Sequence, residues 1–261
     1  MRADRFPYFD ARFIAFAHRG GFSPTAPPEV ENSVRAFRGA WDLGFRYLET
    51  DVHLTADGVL IAFHDPILDH ATDGSGLVAT LPWREVSQAR IGGLEPIPLF
   101  DELLETFPEA RFNIDLKASA CIEPLARSIR RHRAEERVCV ASFSTSTLRA
   151  FRLLAGPRVA TSASPVEIAV AAWAPGLRRY WPMAGQSFQI PVLEPRTKVP
   201  LMKSGLIRTA RRKGARVNVW TINERADMEK LIDQGVDGLF SDDLVTLKEV
   251  LVGRGLWQER P

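Results

Sequence analysis

The chain has 261 residues, 45% hydrophobic and 25% charged, with 34 Lys and Arg against 32 Asp and Glu for a net charge of +2. That composition supplies a core of ordinary size and excludes a disordered chain, while the even charge balance gives no reason to expect nucleic acid as the main partner. No window reaches the roughly 18 apolar residues that span a bilayer, residues 1–10 lack a signal-peptide run, and Cys121 and Cys139 lack metal-ligand spacing, so a cytoplasmic protein without stable membrane insertion is expected.

Short apolar, β-rich runs alternate with amphipathic stretches along the chain. The first run, 13–18, ends in His18-Arg19-Gly20-Gly21. A helix is predicted over 31–44, with Val34, Phe37 and Trp41 on one face. The next run, 47–53, holds Glu49 and Asp51. It is followed by Asp57-Gly58, a hairpin signal, and a return run over 59–64. Pairing around that turn puts His64 roughly opposite Glu49. Residues 66–96 are too long and irregular for an ordinary loop and read as a small cap near the mouth.

Further strands are predicted at 112–117, 138–142, 159–162, 188–191, 217–221 and 236–241. Ser144 reads as the N-cap of a helix carrying Leu148, Phe151 and Leu154, and Asn223 as the N-cap of one carrying Met228 and Leu231. Strand–helix alternation at this length predicts a single α/β domain over 1–261, a (β/α)₈ TIM barrel with an insertion at 66–96 after the second barrel strand. An open doubly wound sheet is the alternative.

Active sites of such barrels lie at the C-terminal ends of the strands. Glu49 and Asp51 are two apart on one strand and point to the same face; Asn113, Asp115 and Lys117 do the same on another. Convergent carboxylates without thiols suit a hard divalent cation, Mg²⁺ or Ca²⁺. The competing reading pairs these acids with barrel lysines and arginines. His18 and His64 flank them and can share acid and base roles. The glycines after Arg19 would let backbone approach a ligand. Arg19 and Lys117 place cations on the same rim, where a phosphate would need them. The basic clusters at 130–133 and 208–213 read as solvated helix surface.

These residues resemble the glycerophosphodiester phosphodiesterase family. The likeness is carried by Ala17-His18-Arg19-Gly20-Gly21, Glu31-Asn32-Ser33, Glu49-Thr50-Asp51-Val52, Phe63-His64-Asp65-Pro66, Asn113-Ile114-Asp115-Leu116-Lys117 and Val219-Trp220-Thr221-Ile222-Asn223. The motifs stand in family order along nearly the whole chain. The resemblance implies one divalent cation on Glu49, Asp51 and Asp115, and His18 and His64 as the catalytic acid/base pair. It also implies Arg19 and Lys117 at the phosphate, Trp220 lining the cleft, and Glu31 behind Arg19 or His18. Asp115 stands where the family usually has Glu, an arm shorter by one methylene.

The implied reaction is hydrolysis of small glycerophosphodiesters, such as glycerophosphocholine, to glycerol 3-phosphate and an alcohol. Two other functions are open to the same residues. One is a lysophospholipase D-like enzyme, using Phe22, Phe188, Leu193 and Trp220 as an apolar groove; the other is a barrel that binds glycerophosphodiesters without turnover.

Overall fold

A computed structural model of the chain describes residues 2–174, 176, 180–193, 200–202 and 204–259. Eight parallel strands carry the fold: β1 (Ile14–Phe22), β2 (Tyr47–Leu54), β3 (Arg111–Leu116), β4 (Val138–Ala141), β5 (Ala160–Thr161), β6 (Ser187–Pro191), β7 (Arg216–Trp220) and β8 (Gly238–Asp243). Each is followed by its helix: α1 (Val34–Asp42), α2 (Phe100–Thr106), α3 (Ile122–Arg131), α4 (Thr145–Ala155), α5 (Pro165–Trp173), α6 (Ser204–Lys213), α7 (Arg225–Asp233) and α8 (Leu244–Gly253). Strand order around the sheet is β5-β4-β3-β2-β1-β8-β7-β6. The ring closes between β5 and β6 through a parallel bridge from Ser162 to Ser187. The chain is therefore a TIM barrel, not an open doubly wound sheet.

The strands alternate inward and outward, so one residue in two faces the barrel axis. Toward the N-terminal end, Ile14, Phe16, Tyr47, Cys139 and Phe240 pack together with Phe6, Tyr8 and Phe9 of the leading segment into an apolar plug. Moving up the same faces by two residues replaces Phe16 with His18, Tyr47 with Glu49 and then Asp51, and Phe240 with Asp242. The apolar lower layer keeps the barrel closed, and the polar upper layer becomes the site. Outward residues of the strands, among them Leu48, Phe112 and Val140, pack under the helices in the main core.

β2 continues into a hairpin whose return strand, Leu60–Ala62, pairs Val52 with Ala62 and Leu54 with Leu60. The Phe63 N–H donates to the Asp51 carbonyl at 3.0 Å. That register sets Phe63 level with Asp51 and carries His64 toward the level of Thr50, one residue from Glu49 and so roughly where the hairpin reading puts it. Offset by one residue from the expected pairing, the imidazole still reaches the mouth because the chain leaves the sheet here.

Residues 66–96 form short 3₁₀ turns at Leu68–His70 and Val78–Thr80, a one-turn helix at Trp83–Val86, and a small ladder of Arg90–Ile91 with Glu95–Pro96. They surround a separate apolar cluster that includes Phe63, Leu68, Val78, Val86 and Ile91. No helix among the described residues is long and apolar enough to cross a membrane.

Candidate active site

β1 delivers His18 to the upper layer and then turns sharply. Arg19 has φ +52°, Gly20 +84° and Gly21 +59°, a run of left-handed backbone that a side chain other than glycine adopts only under strain. A Cβ on Gly20 would stand 2.7 Å from the Ala36 Cβ, and one on Gly21 would stand 2.6 Å from Leu244 Cδ2. The glycines thus admit α1 and α8 against the turn.

The turn aims Arg19. Its N–H donates to Glu49 Oε2 at 3.0 Å, and its Nη1 donates to both Glu31 oxygens at 3.0 and 3.1 Å. The Glu31-Asn32-Ser33 segment is a brace behind that corner. The Asn32 N–H donates to the Arg19 carbonyl at 2.7 Å, the Thr50 hydroxyl donates to Asn32 Oδ1 at 2.7 Å, and Ser33 Oγ caps α1 by accepting from the Ala36 N–H at 3.1 Å.

The three carboxylates converge as strand parity predicts. Glu49, Asp51 and Asp115 are 5%, 3% and 6% exposed. Lys117 Nζ bridges Asp51 Oδ1 at 2.9 Å and Asp115 Oδ2 at 2.8 Å, and Arg19 Nε lies 3.4 Å from Asp51 Oδ2. The ion pairing weighed as the competing reading is therefore present at Asp51 and at one oxygen of Asp115. It does not satisfy the group. Asp115 Oδ1 is buried without a hydrogen-bond partner.

The proton affinities follow. Burial, then the Asp51 charge, pushes Glu49 up to about 7. Burial acts against ionised Asp51 as well, but Lys117 and Arg19 outweigh it and hold its carboxyl below the ordinary range. Burial raises Asp115, and Lys117 only partly offsets this. A floor with one acid so raised and one orphaned buried oxygen is short of positive charge. That deficit and the all-oxygen donor set fit a hard divalent cation. Among the described residues, no group of three or more His, Cys, Asp or Glu side chains is gathered closely enough to hold a metal ion as it stands.

Each histidine gives Nδ1 to a carboxylate. His18 Nδ1 is 2.7 Å from Asp242 Oδ1, and His64 Nδ1 is 2.7 Å from Asp65 Oδ1. His18 Nε2 lies 3.9 Å from Glu49 Oε2. His53 Nε2 meets the His64 carbonyl at 3.0 Å and anchors that loop. Burial works against the charged form of His18, but Glu49 and Asp242 outweigh it and raise its pKa. For His64, burial together with Lys117 and Arg19 prevails over Asp51, and the pKa falls. Neither Asp242 nor His53 stands out in the sequence; the available signal was parity, since Asp242 follows Phe240 on the inner face of β8.

His18, Arg19, Glu49, Asp51, His64, Asp115, Lys117 and Trp220 all line one cleft of about 220 Å³. Asn113 and Gln189 join across its floor, with Gln189 Nε2 donating to Asn113 Oδ1 at 2.6 Å. One wall is apolar. Phe143 meets Trp220 edge-on with ring centroids 5.7 Å apart, and Pro165 and Ile168 continue the wall. Phe188, expected in a groove, is fully buried in the core because it is an outward residue of β6.

Residues 18–246 match the glycerophosphoryl diester phosphodiesterase family model. The chain is 39% identical over 249 residues to a protein of Mycobacterium tuberculosis named "Probable glycerophosphodiester phosphodiesterase 2", covering 94% of this chain and 92% of that one. It is 30% identical over 251 residues to the glycerophosphodiester phosphodiesterase of Caldanaerobacter subterraneus subsp. tengcongensis, covering 90% and 96%. A solved phosphodiesterase of Oleispira antarctica, in complex with the product sn-glycerol-3-phosphate, has the same fold: TM-score 0.77, 23% identity, 97% of this chain and 100% of that one. With the match spanning every strand of the barrel but the first residues of β1, the chain belongs to the glycerophosphoryl diester phosphodiesterase family, a family of phosphoric diester hydrolases.

Proposed function

We propose that this cleft hydrolyses small glycerophosphodiesters, such as glycerophosphocholine and glycerophosphoethanolamine, to glycerol 3-phosphate and the free alcohol. The observation that supports it best is two imidazoles, each held through Nδ1 by a carboxylate, beside three buried carboxylates and two cations in one cleft. Arg19 and Lys117 offset the phosphate charge and the further charge that develops on its oxygens. One imidazole takes a proton from the attacking oxygen, which is water or the substrate's own 2-hydroxyl, and the other returns one to the leaving alcohol. A divalent cation, Mg²⁺ or Ca²⁺, held by Glu49, Asp51 and Asp115 would supply Lewis-acid polarisation of the phosphate. Trp220 forms the wall against which the glycerol end rests. The glycerol 3-phosphate held by the Oleispira antarctica enzyme, which shares the fold, supports the same product here. Free, buried Cys121 and Cys139 support a reducing, cytoplasmic setting.

The test is release of glycerol 3-phosphate from glycerophosphocholine with Mg²⁺, with Ca²⁺ and with EDTA, run beside His18→Ala. Metal-dependent release, lost in EDTA and in the variant, is the expected result. No release with either metal overturns the proposal.

A second reading is favoured by the apolar wall. Phe143 is 68% exposed at the mouth and Leu193 44% exposed beyond β6. These surfaces suit the acyl chain of a lysophospholipid, and faster turnover of lysophosphatidylcholine than of glycerophosphocholine would select that substrate instead.

A further inference from the structure

We propose that Asp242, clamped by Asn223, is the positioning carboxylate of His18, and that it acts by fixing which imidazole nitrogen faces the cleft. The inference rests on the reading of His18 as a proton-exchanging residue. Asp242 Oδ1 lies 2.7 Å from His18 Nδ1, across 224 positions of sequence. Its other oxygen, Oδ2, accepts from Asn223 Nδ2 at 2.9 Å. The amide of Asn223 cannot turn over, because its Oδ1 accepts from the Asp242 N–H at 2.9 Å and from Ser241 Oγ at 3.1 Å. Both ends of the Asn223 side chain are thus spent on the β8 terminus. Asp242 is held from the backbone and from the side chain at once.

The consequence for His18 is geometric. A carboxylate only accepts, so in the neutral ring Nδ1 carries the hydrogen and Nε2 is the nitrogen left with its lone pair toward Glu49 and the cleft. Without Asp242, the ring can rotate about χ2 or carry its hydrogen on the other nitrogen. His64 obtains the same service from its chain neighbour Asp65, within one loop. His18 obtains it from a different strand, and so its aim depends on the ends of β1, β7 and β8 staying in register. The next residue is not equivalent. Asp243 turns to its own helix, accepting from the Thr246 N–H at 3.0 Å and the Thr246 hydroxyl at 2.7 Å.

The experiment compares Asp242→Asn, Asp242→Glu, Asn223→Ala, His18→Ala and the double variant His18→Ala/Asp242→Asn, assayed for glycerol 3-phosphate release from glycerophosphocholine at saturating divalent metal. Asp242→Asn is expected to lower kcat about 10²–10⁴-fold with KM within about threefold, the scale of losing the carboxylate behind an acid/base imidazole. Asn223→Ala should give a smaller loss of the same kind, and Asp242→Glu a partial recovery. Because Asp242 acts through His18, the double variant should be no slower than His18→Ala alone. A parallel readout needs no turnover: ¹⁵N imidazole shifts should show Nδ1–H at His18 in the wild type and its loss in Asp242→Asn, with the other histidines unmoved. Wild-type kcat in Asp242→Asn, or a loss that multiplies onto that of His18→Ala, overturns the proposal. A fully active His18→Ala instead sinks the reading of His18 itself, and the ring shifts tell the two failures apart.

Discussion

Lys117 carries more of the site than its single charge suggests. Its ammonium touches two carboxylates that are otherwise buried beside a third, and those two acids hold its own pKa above the ordinary lysine value despite burial. Lys117→Met leaves Asp51 and Asp115 facing each other with Arg19 as the chief remaining cation to compensate. Loss of one partner from a buried ion cluster costs about 3–5 kcal/mol, so the melting temperature should fall in EDTA. The same variant should regain more stability from added Mg²⁺ or Ca²⁺ than the wild type does, since a bound cation then restores the missing positive charge. Equal shifts in both proteins would count against a cation on these carboxylates. For the histidines, His64→Ala should lower kcat about 10²–10⁴-fold, as expected for a general acid or base, with little change in melting temperature; steady-state kinetics with calorimetry reads both. Most of this cluster was legible in the sequence because strand parity puts residues two apart on one face. Asp242 was not, because nothing local marks its partner, 224 positions away.

At the level of single elements, the start of α5 is held by one buried carboxylate. Ser164 and Glu167 form a reciprocal capping box: the Ser164 N–H donates to Glu167 Oε2 at 2.7 Å while Ser164 Oγ accepts from the Glu167 N–H. Glu167 also accepts from the Ala184 N–H, from the Gly185 N–H at 3.2 Å, and from Arg152 Nη2 at 3.1 Å. Burial works against its charge, but these donors outweigh it and hold its pKa below the ordinary glutamate value. The sign follows directly. A carboxylate depressed in the folded state stabilises the fold above the unfolded pKa of roughly 4.3, and that contribution is lost as pH falls through the lower folded value. Glu167→Gln should therefore unfold at lower urea than the wild type at pH 7, with the gap closing toward pH 3. A gap that is constant with pH would make the effect one of packing alone. Helix starts of this kind were partly legible. Ser144 caps α4 as predicted, accepting from the Thr147 N–H at 3.2 Å. Asn223 does not cap α7, whose first position follows Glu224, because its amide is taken by the β8 end. A one-dimensional reading sees a good cap residue and cannot see a competing partner on a neighbouring strand.

Across the whole molecule, the barrel is not equally firm around its circumference. β2 pairs with β3 at six successive positions from Tyr47 to Val52, whereas β5 has two residues in register with β4 and meets β6 through the Ser162–Ser187 bridge. Eight strands were legible because each is a short, β-rich run with apolar residues on its outward face, but the weakness of this seam was not, since closure depends on how short β5 becomes in three dimensions. Two backbone bonds reinforce it, from the Ala163 N–H to the Ser187 carbonyl at 2.6 Å and from the Gln186 N–H to the Thr161 carbonyl at 2.8 Å. Gly185 makes that approach possible. A Cβ there would stand 2.4 Å from the Ala163 nitrogen and Cα and 2.5 Å from the Ser162 carbonyl oxygen, all backbone atoms that cannot swing away. Gly185→Ala must therefore push β5 and β6 apart, at a cost of about 2 kcal/mol, or roughly 6 °C in melting temperature for a chain of this size. Ser162 and Ala163 line the cleft, so turnover should fall together with stability. Hydrogen exchange locates the damage: the amides of Ala163 and Gln186 should exchange faster in the variant, while those of Thr50 and Ile114 keep wild-type protection. Uniformly faster exchange around the ring would mean that the barrel opens as one unit and that the seam is no weaker than the rest.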